Sequence, residues 1–203
     1  MTPYIKTITW TRKIILIIAF IIGAMILLGK GPYPAILSSD TIGLFWVINS
    51  WAIFLVMLVR PLADITKWKW LRALIPLRKE LGILSGMIVV MFGLAKYIGW
   101  GWIEFFEVYF SLDYWRFPDP VAFAHLGELV GVPLLLTSNL YSQKKLKQHW
   151  KTIQRLSYVY FYAGAYYVYV AFNATEEIWF MAIITLLTVG AYLQKKWHKR
   201  KKA

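Results

Sequence analysis

KKLKQHWKTIQRLSYVYFYAGAYYVYVAF, residues 144–172, decides how the chain is read. Four lysines, Lys144, Lys145, Lys147 and Lys151, come first. Trp150 and Arg155 follow, and then an aromatic segment with Tyr158, Tyr160, Phe161, Tyr162, Tyr166, Tyr167, Tyr169 and Phe172. Basic residues, an interfacial tryptophan and then an apolar run are the order found where a cytoplasmic loop feeds a membrane helix. The rest of the chain repeats the pattern. It has 203 residues, 59% of them hydrophobic, and its mean hydropathy is +0.54. A soluble domain of this length needs more polar surface. Several apolar runs reach membrane-spanning length, so the sequence predicts an all-α integral membrane protein. No polar stretch is long enough to fold by itself, so one membrane domain over 1–203 is expected.

The spacing predicts six spans, at about 14–28, 42–59, 80–97, 120–140, 153–172 and 177–193. Arg60-Pro61 is expected to end the second, and Pro133 lies inside the fourth. A cleaved signal peptide shares the basic start and apolar core of the first span. No small-x-small site follows it, and Gly31-Pro32-Tyr33-Pro34 reads as a loop, so the span is expected to be kept. Placing both termini in the cytoplasm puts all but Lys30, Lys96 and Arg116 of the 23 basic residues inside. Most acids, Asp40, Glu104, Glu107, Asp113, Asp119, Glu176 and Glu177 among them, fall outside. This is the positive-inside distribution of a multi-pass protein of the inner or plasma membrane. It also accounts for the net charge of +13 without nucleic acid, because the charges sit in short tracts at the ends of apolar runs.

Trp68, Trp70, Trp100, Trp102, Tyr114, Trp115, Trp150, Trp179 and Trp197 fall where bilayer interfaces should be, and an aromatic belt explains them without a ligand. The outer loop 98–119 holds Glu104-Phe105-Phe106-Glu107, expected as an amphipathic helix along the surface. Such a piece can also serve as a docking surface for an external partner. Gly82 and Gly86 form a small-xxx-small pair expected to let helices approach.

With no cysteine, disulfides, cysteine-ligated clusters and cysteine nucleophiles are excluded. No Ser/His/Asp set, glycine-rich phosphate loop or catalytic carboxylate pair can be assembled, so no catalytic residue is assigned. His149 and His198 sit in basic segments and read as solvated. Ionisable groups inside a membrane are costly and are functional candidates. His125 and Glu128 are three residues apart, on one face of the fourth span. They are the candidate cofactor-binding pair; the plain alternative is a polar pair bonded to other helices. Two ligands of this kind are too few for a metal site.

Arg60-Pro61-Leu62-Ala63, a basic loop and Leu77-Arg78-Lys79-Glu80-Leu81-Gly82-Ile83 come before the third span. Later come Lys145-Leu146 and Trp150-Lys151-Thr152-Ile153-Gln154-Arg155-Leu156-Ser157-Tyr158. With the six-span layout, residues 42–172 resemble the ferric-reductase-like transmembrane domain family. The nearest branch is the haem-binding membrane subunits of periplasmic methionine sulfoxide reductase systems. The resemblance implies haem b held by histidines of the third and fifth spans. It also implies electron transfer from a cytoplasmic or quinone-side donor to an external acceptor, with a membrane or external redox protein as partner.

Those ligand positions fall here on Phe92, Gln154 and Tyr167, none of them histidine. Thirteen residues are about 3.6 turns, so a straight helix does not aim 154 and 167 along one line. Phenylalanine cannot ligate iron, glutamine ligates poorly, and one phenolate is a weak basis for a haem site. The expectation is a haem-free member in which Phe92, Tyr160, Tyr166 and Tyr167 fill the space of the porphyrin. Two alternatives stand beside it. One is an electron-transfer subunit with relocated ligation, through His125 or with quinone or flavin. The other is a small transporter or ligand binder. Whether the chain is an enzyme is left open by the sequence.

Overall fold

A computed structural model describes residues 3–29, 37–116 and 119–200. The expected turn at Gly31–Pro34, Lys30 and the last basic residues, Lys201 and Lys202, lie outside them. So do the side chains of Lys6, Trp100, Tyr114 and His198. The described residues are helical apart from short connections and contain no strand. The helices are α1 Pro3–Gly29, α2 Ser39–Thr66, α3 Lys69–Leu74, α4 Leu77–Trp100, α5 Trp102–Tyr109, α6 Pro120–Leu136, α7 Leu140–Leu146, α8 Gln148–Phe172 and α9 Glu176–Arg200. A single 3-10 turn, Leu112–Trp115, lies between α5 and α6. Four stretches are long and apolar enough to cross a membrane: Thr7–Gly29, Asp40–Thr66, Leu77–Gly99 and Glu176–Trp197. Their outer faces are oily. Phe20, Ile21 and Leu28 of α1 and Leu186, Val189 and Leu193 of α9 are all at least half exposed. An integral membrane protein presents such a surface to lipid.

Several element ends differ from the expected ones. The first helix begins at Pro3 rather than at 14, and its N-terminal part is tied down where the Arg12 guanidinium meets Glu80 at 2.7 Å. The second does not stop at Arg60-Pro61. Pro61 has no N–H for the Met57 carbonyl, yet the helix continues, and in that same turn Arg78 Nε donates to the Val56 carbonyl at 2.6 Å. It ends at Thr66, where Lys67 takes a left-handed conformation. The fourth predicted span ends at Leu136 instead of 140. There the Thr137 hydroxyl turns back to the Pro133 carbonyl at 2.6 Å, and Asn139 caps a new short helix. The fifth begins at Gln148, five residues early, and the sixth runs on into the basic tail. At the α4–α5 corner, Gly101 holds φ +80°, a conformation that side-chain-bearing residues avoid.

α2 and α4 are the centre of the bundle. α4 packs on α1, α2 and α6, α8 packs on α6 and α9, and α2 also meets α9. One core, with Ala19, Ile22 and Ile26 against Phe45, Ile88 and Phe92, joins α1 to α2 and α4. The other, with Phe54, Met57, Val89, Phe161, Phe180 and Ile184, joins α2 and α4 to α8 and α9. The Gly82/Gly86 pair works only in part as expected. A Cβ on Gly86 would lie 3.3 Å from Leu135, a close helix approach, whereas one on Gly82 would meet no atom within 4 Å. The outer amphipathic piece is the helix α5. Phe105 stacks on Tyr109 at 5.1 Å while Trp102, Ile103 and Phe106 remain exposed.

Candidate functional site

Two of the three positions that the resemblance assigns to haem ligation, Phe92 and Tyr167, meet at Trp46. Phe92 is 3% exposed and lies flat against Trp46, with centroids 5.1 Å apart and planes 10° off parallel. Tyr167 meets the same indole edge-on at 6.0 Å. Trp46 of α2 thus stands between the α4 and α8 positions where a porphyrin would be clamped. The void beside it, lined by Trp46, Asn49, Tyr160, Gly164 and Tyr167, is about 20 Å3. That is room for roughly one water.

Below the rings lies a hydrogen-bonded polar knot. Ser85 Oγ donates to Asn49 Oδ1 at 2.6 Å, and the Tyr160 hydroxyl lies 2.9 Å from Ser85 Oγ and 3.1 Å from the Ser85 carbonyl oxygen. All three residues are buried, and their helices α2, α4 and α8 are locked in register by the knot. Such groups are expensive in lipid unless they satisfy one another. Asn49 and Ser85 were not singled out in the sequence. Their signal is there, as uncharged polar residues inside apolar spans. Tyr160 does fill the interior as expected, but Tyr166 does not join it. Its ring turns to Phe123 of α6 at 4.4 Å.

Gln154 is engaged elsewhere. Its amide Nε2 donates to Thr137 Oγ1 at 3.2 Å, and one turn earlier Trp150 Nε1 donates to the Thr137 carbonyl at 3.0 Å. Residues four apart on a helix share a face. Trp150 and Gln154 therefore clasp the end of α6, satisfying a carbonyl that the helix terminus leaves bare. As the spacing implied, positions 154 and 167 address different parts of the bundle.

His125 and Glu128 do come together, at the opposite end of α6. His125 Nδ1 is 3.1 Å from Glu128 Oε2, and Lys96 Nζ of α4 is 2.5 Å from Glu128 Oε1. Lys96 was assigned only to the outer side by sequence; it is the counter-charge of the carboxylate. Tyr109 and Trp115 pack their rings on the imidazole at 5.3 Å and 6.1 Å. His125 is 1% exposed. The group reads as an ion pair with a histidine, closed over by the α5 corner. His149 is exposed, as expected.

Haem b does not fit these residues. Phe92 offers no donor atom, Tyr167 packs on Trp46, and Gln154 is committed to Thr137. A porphyrin at His125 would have to displace Tyr109 and Trp115. Among the described residues, no three His, Cys, Asp or Glu side chains gather as a metal site. No protein-family model, curated protein or solved structure matches the chain. Its functional reading therefore rests on the residues themselves.

Proposed function

We propose that the chain is a haem-free member of the ferric-reductase-like architecture, embedded in the cell membrane as a scaffold or partner subunit of a redox assembly. The observation that carries this reading is Trp46 wedged between Phe92 and Tyr167, with space for about one water beside it. The side chains that would hold iron are rings and an amide, each with a packing or hydrogen-bonding task of its own. A bundle of this kind keeps the shape of an electron carrier and lacks the donors.

The reading includes six spans with both termini in the cytoplasm. α8, at 25 residues, is about 37 Å long, enough to cross the hydrocarbon core. The 17 residues of α6 give about 26 Å, at the lower limit for a crossing. α6 and α8 pack along each other. Arg12, Arg60, Arg78 and Arg155 gather at one end of the bundle, as the positive-inside distribution requires. The exposed Trp102, Ile103 and Phe106 of α5 suit an interfacial helix on the outer face.

The test is electron transfer across a sealed membrane. Proteoliposomes with trapped ferricyanide and dithionite outside should reduce no faster than protein-free vesicles. Protein-dependent reduction would overturn the haem-free reading. Mild detergent extraction from native membranes should retain a second protein in fixed ratio, identified by mass spectrometry. A chain that leaves the membrane alone would remove the scaffold role.

A further inference from the structure

A cavity of about 740 Å3 opens at the end of the bundle where α2 and α6 finish and α4 and α8 begin. Its size lies in the range of small-molecule sites. Six basic residues line it, and two are neutralised: Arg12 by Glu80 at 2.7 Å, and Arg60, loosely, by Asp64 at 3.9 Å. The other four, Arg78, Lys79, Lys151 and Arg155, have no carboxylate partner among the described residues. Arg78 and Lys79 are half-buried, while Lys151 and Arg155 stand at the open side. Like charges around one concave wall repel each other and favour a bound anion.

Part of the wall is apolar, with Val56, Leu134 and Gly82, while Gln154, Ser157 and Tyr160 also line the cavity. A Cβ on Gly82 would project into open space, so this glycine keeps part of the cavity clear rather than serving helix contact. A charged mouth above an oily slot fits a molecule with an anionic head and a hydrocarbon tail. We propose that this cavity seats an anionic phospholipid. Its phosphate lies among Arg78, Lys79, Lys151 and Arg155, and one acyl chain lies along Gly82 and Leu134. Guanidinium groups suit phosphate because their paired N–H donors match its oxygens. Phe92 and Tyr167 do not line the cavity, whereas Gln154 and Tyr160 do; the lipid proposal rests on the basic residues and Gly82, and its test reads lipid binding rather than haem.

Native mass spectrometry of the purified protein, titrated with dioleoyl phosphatidylglycerol or dioleoyl phosphatidylcholine, tests this. One phosphatidylglycerol should be retained at a concentration at least tenfold below that needed for phosphatidylcholine. Lys151→Gln with Arg155→Gln, both at the open side, should weaken phosphatidylglycerol at least tenfold. Gly82→Leu should weaken it comparably while the thermal midpoint is kept. Lys195→Gln with Lys196→Gln, on the tail of α9, should change nothing. Equal binding of the two lipids would overturn the proposal, and so would an equal loss in the tail variant, which marks diffuse attraction. If inorganic phosphate displaces the lipid at millimolar concentration and Gly82→Leu has no effect, the site takes a free anion and the lipid proposal fails.

Discussion

Truncating Phe92 to alanine probes the packing that stands where the resemblance places haem. The ring is 3% exposed, stacks on Trp46 at 5.1 Å, and belongs to the core joining α1, α2 and α4. Removing a buried phenyl group costs about 3–5 kcal/mol, because the neighbours relax only partly around the cavity. The stacked pair accounts for about 0.5–1.5 kcal/mol of that. For a chain of this size, each kcal/mol moves the thermal midpoint by roughly 2–4 °C. Phe92→Ala should therefore lower it by roughly 6–20 °C. Phe92→Leu keeps most of the volume and should cost under about 1.5 kcal/mol. The assay is thermal unfolding in a mild detergent, followed by tryptophan fluorescence and by loss of the monodisperse chromatographic peak. A drop in Phe92→Ala no larger than that in Phe92→Leu would mean that the ring is not packed, and the filled-site argument would fail with it.

Three further outcomes are expected. Lys96→Met strips the cation from Glu128, whose side chain is 9% exposed, and should destabilise by about 3 kcal/mol; Lys96→Met with Glu128→Gln should recover at least half of the loss, and no recovery in the double variant would mean the two do not act as a pair. Gly131→Ala places a Cβ 3.3 Å from the ring of Tyr160, which its hydroxyl bonds hold in place, and should lower the thermal midpoint. Gly82→Ala meets nothing and should gain up to about 1 kcal/mol from helix propensity, so a Gly131→Ala variant more stable than Gly82→Ala would contradict the packing. Because the chain has no cysteine, single cysteines at Ser111, Lys145 and Lys195 can be labelled one at a time in sealed cells. An impermeant maleimide should reach Ser111→Cys alone, and labelling of Lys145→Cys from outside would refute six spans.

Hydrophobic runs and charge tracts made the helical bundle legible from sequence, since both are properties of residues close together in the chain. Helix ends were less so. Pro61 reads as a stop, but the helix runs through it, and Arg78 reaches the neighbouring Val56 carbonyl from 22 residues away. Phe92, Gln154 and Tyr167 could be set against the positions that the resemblance assigns to ligands, because the motifs around them are local. What packs around those positions was not visible there. Trp46 reaches Phe92 and Tyr167 only through tertiary packing, and so does the Asn49–Ser85–Tyr160 knot. His125 and Glu128 were paired correctly from their spacing of three, whereas Lys96, 32 residues before Glu128, had no local signal to tie it to them.

The visible absorption spectrum tests the central claim most directly. The protein should be expressed with excess haem precursor, purified, and its pigment extracted. A featureless Soret region, unchanged when haemin is added and removed by gel filtration, is the expected result. A stoichiometric Soret band with the split α and β bands of a reduced six-coordinate b-type haem would contradict it. Loss of that band in His125→Ala would then place the iron near the Pro120 end of α6.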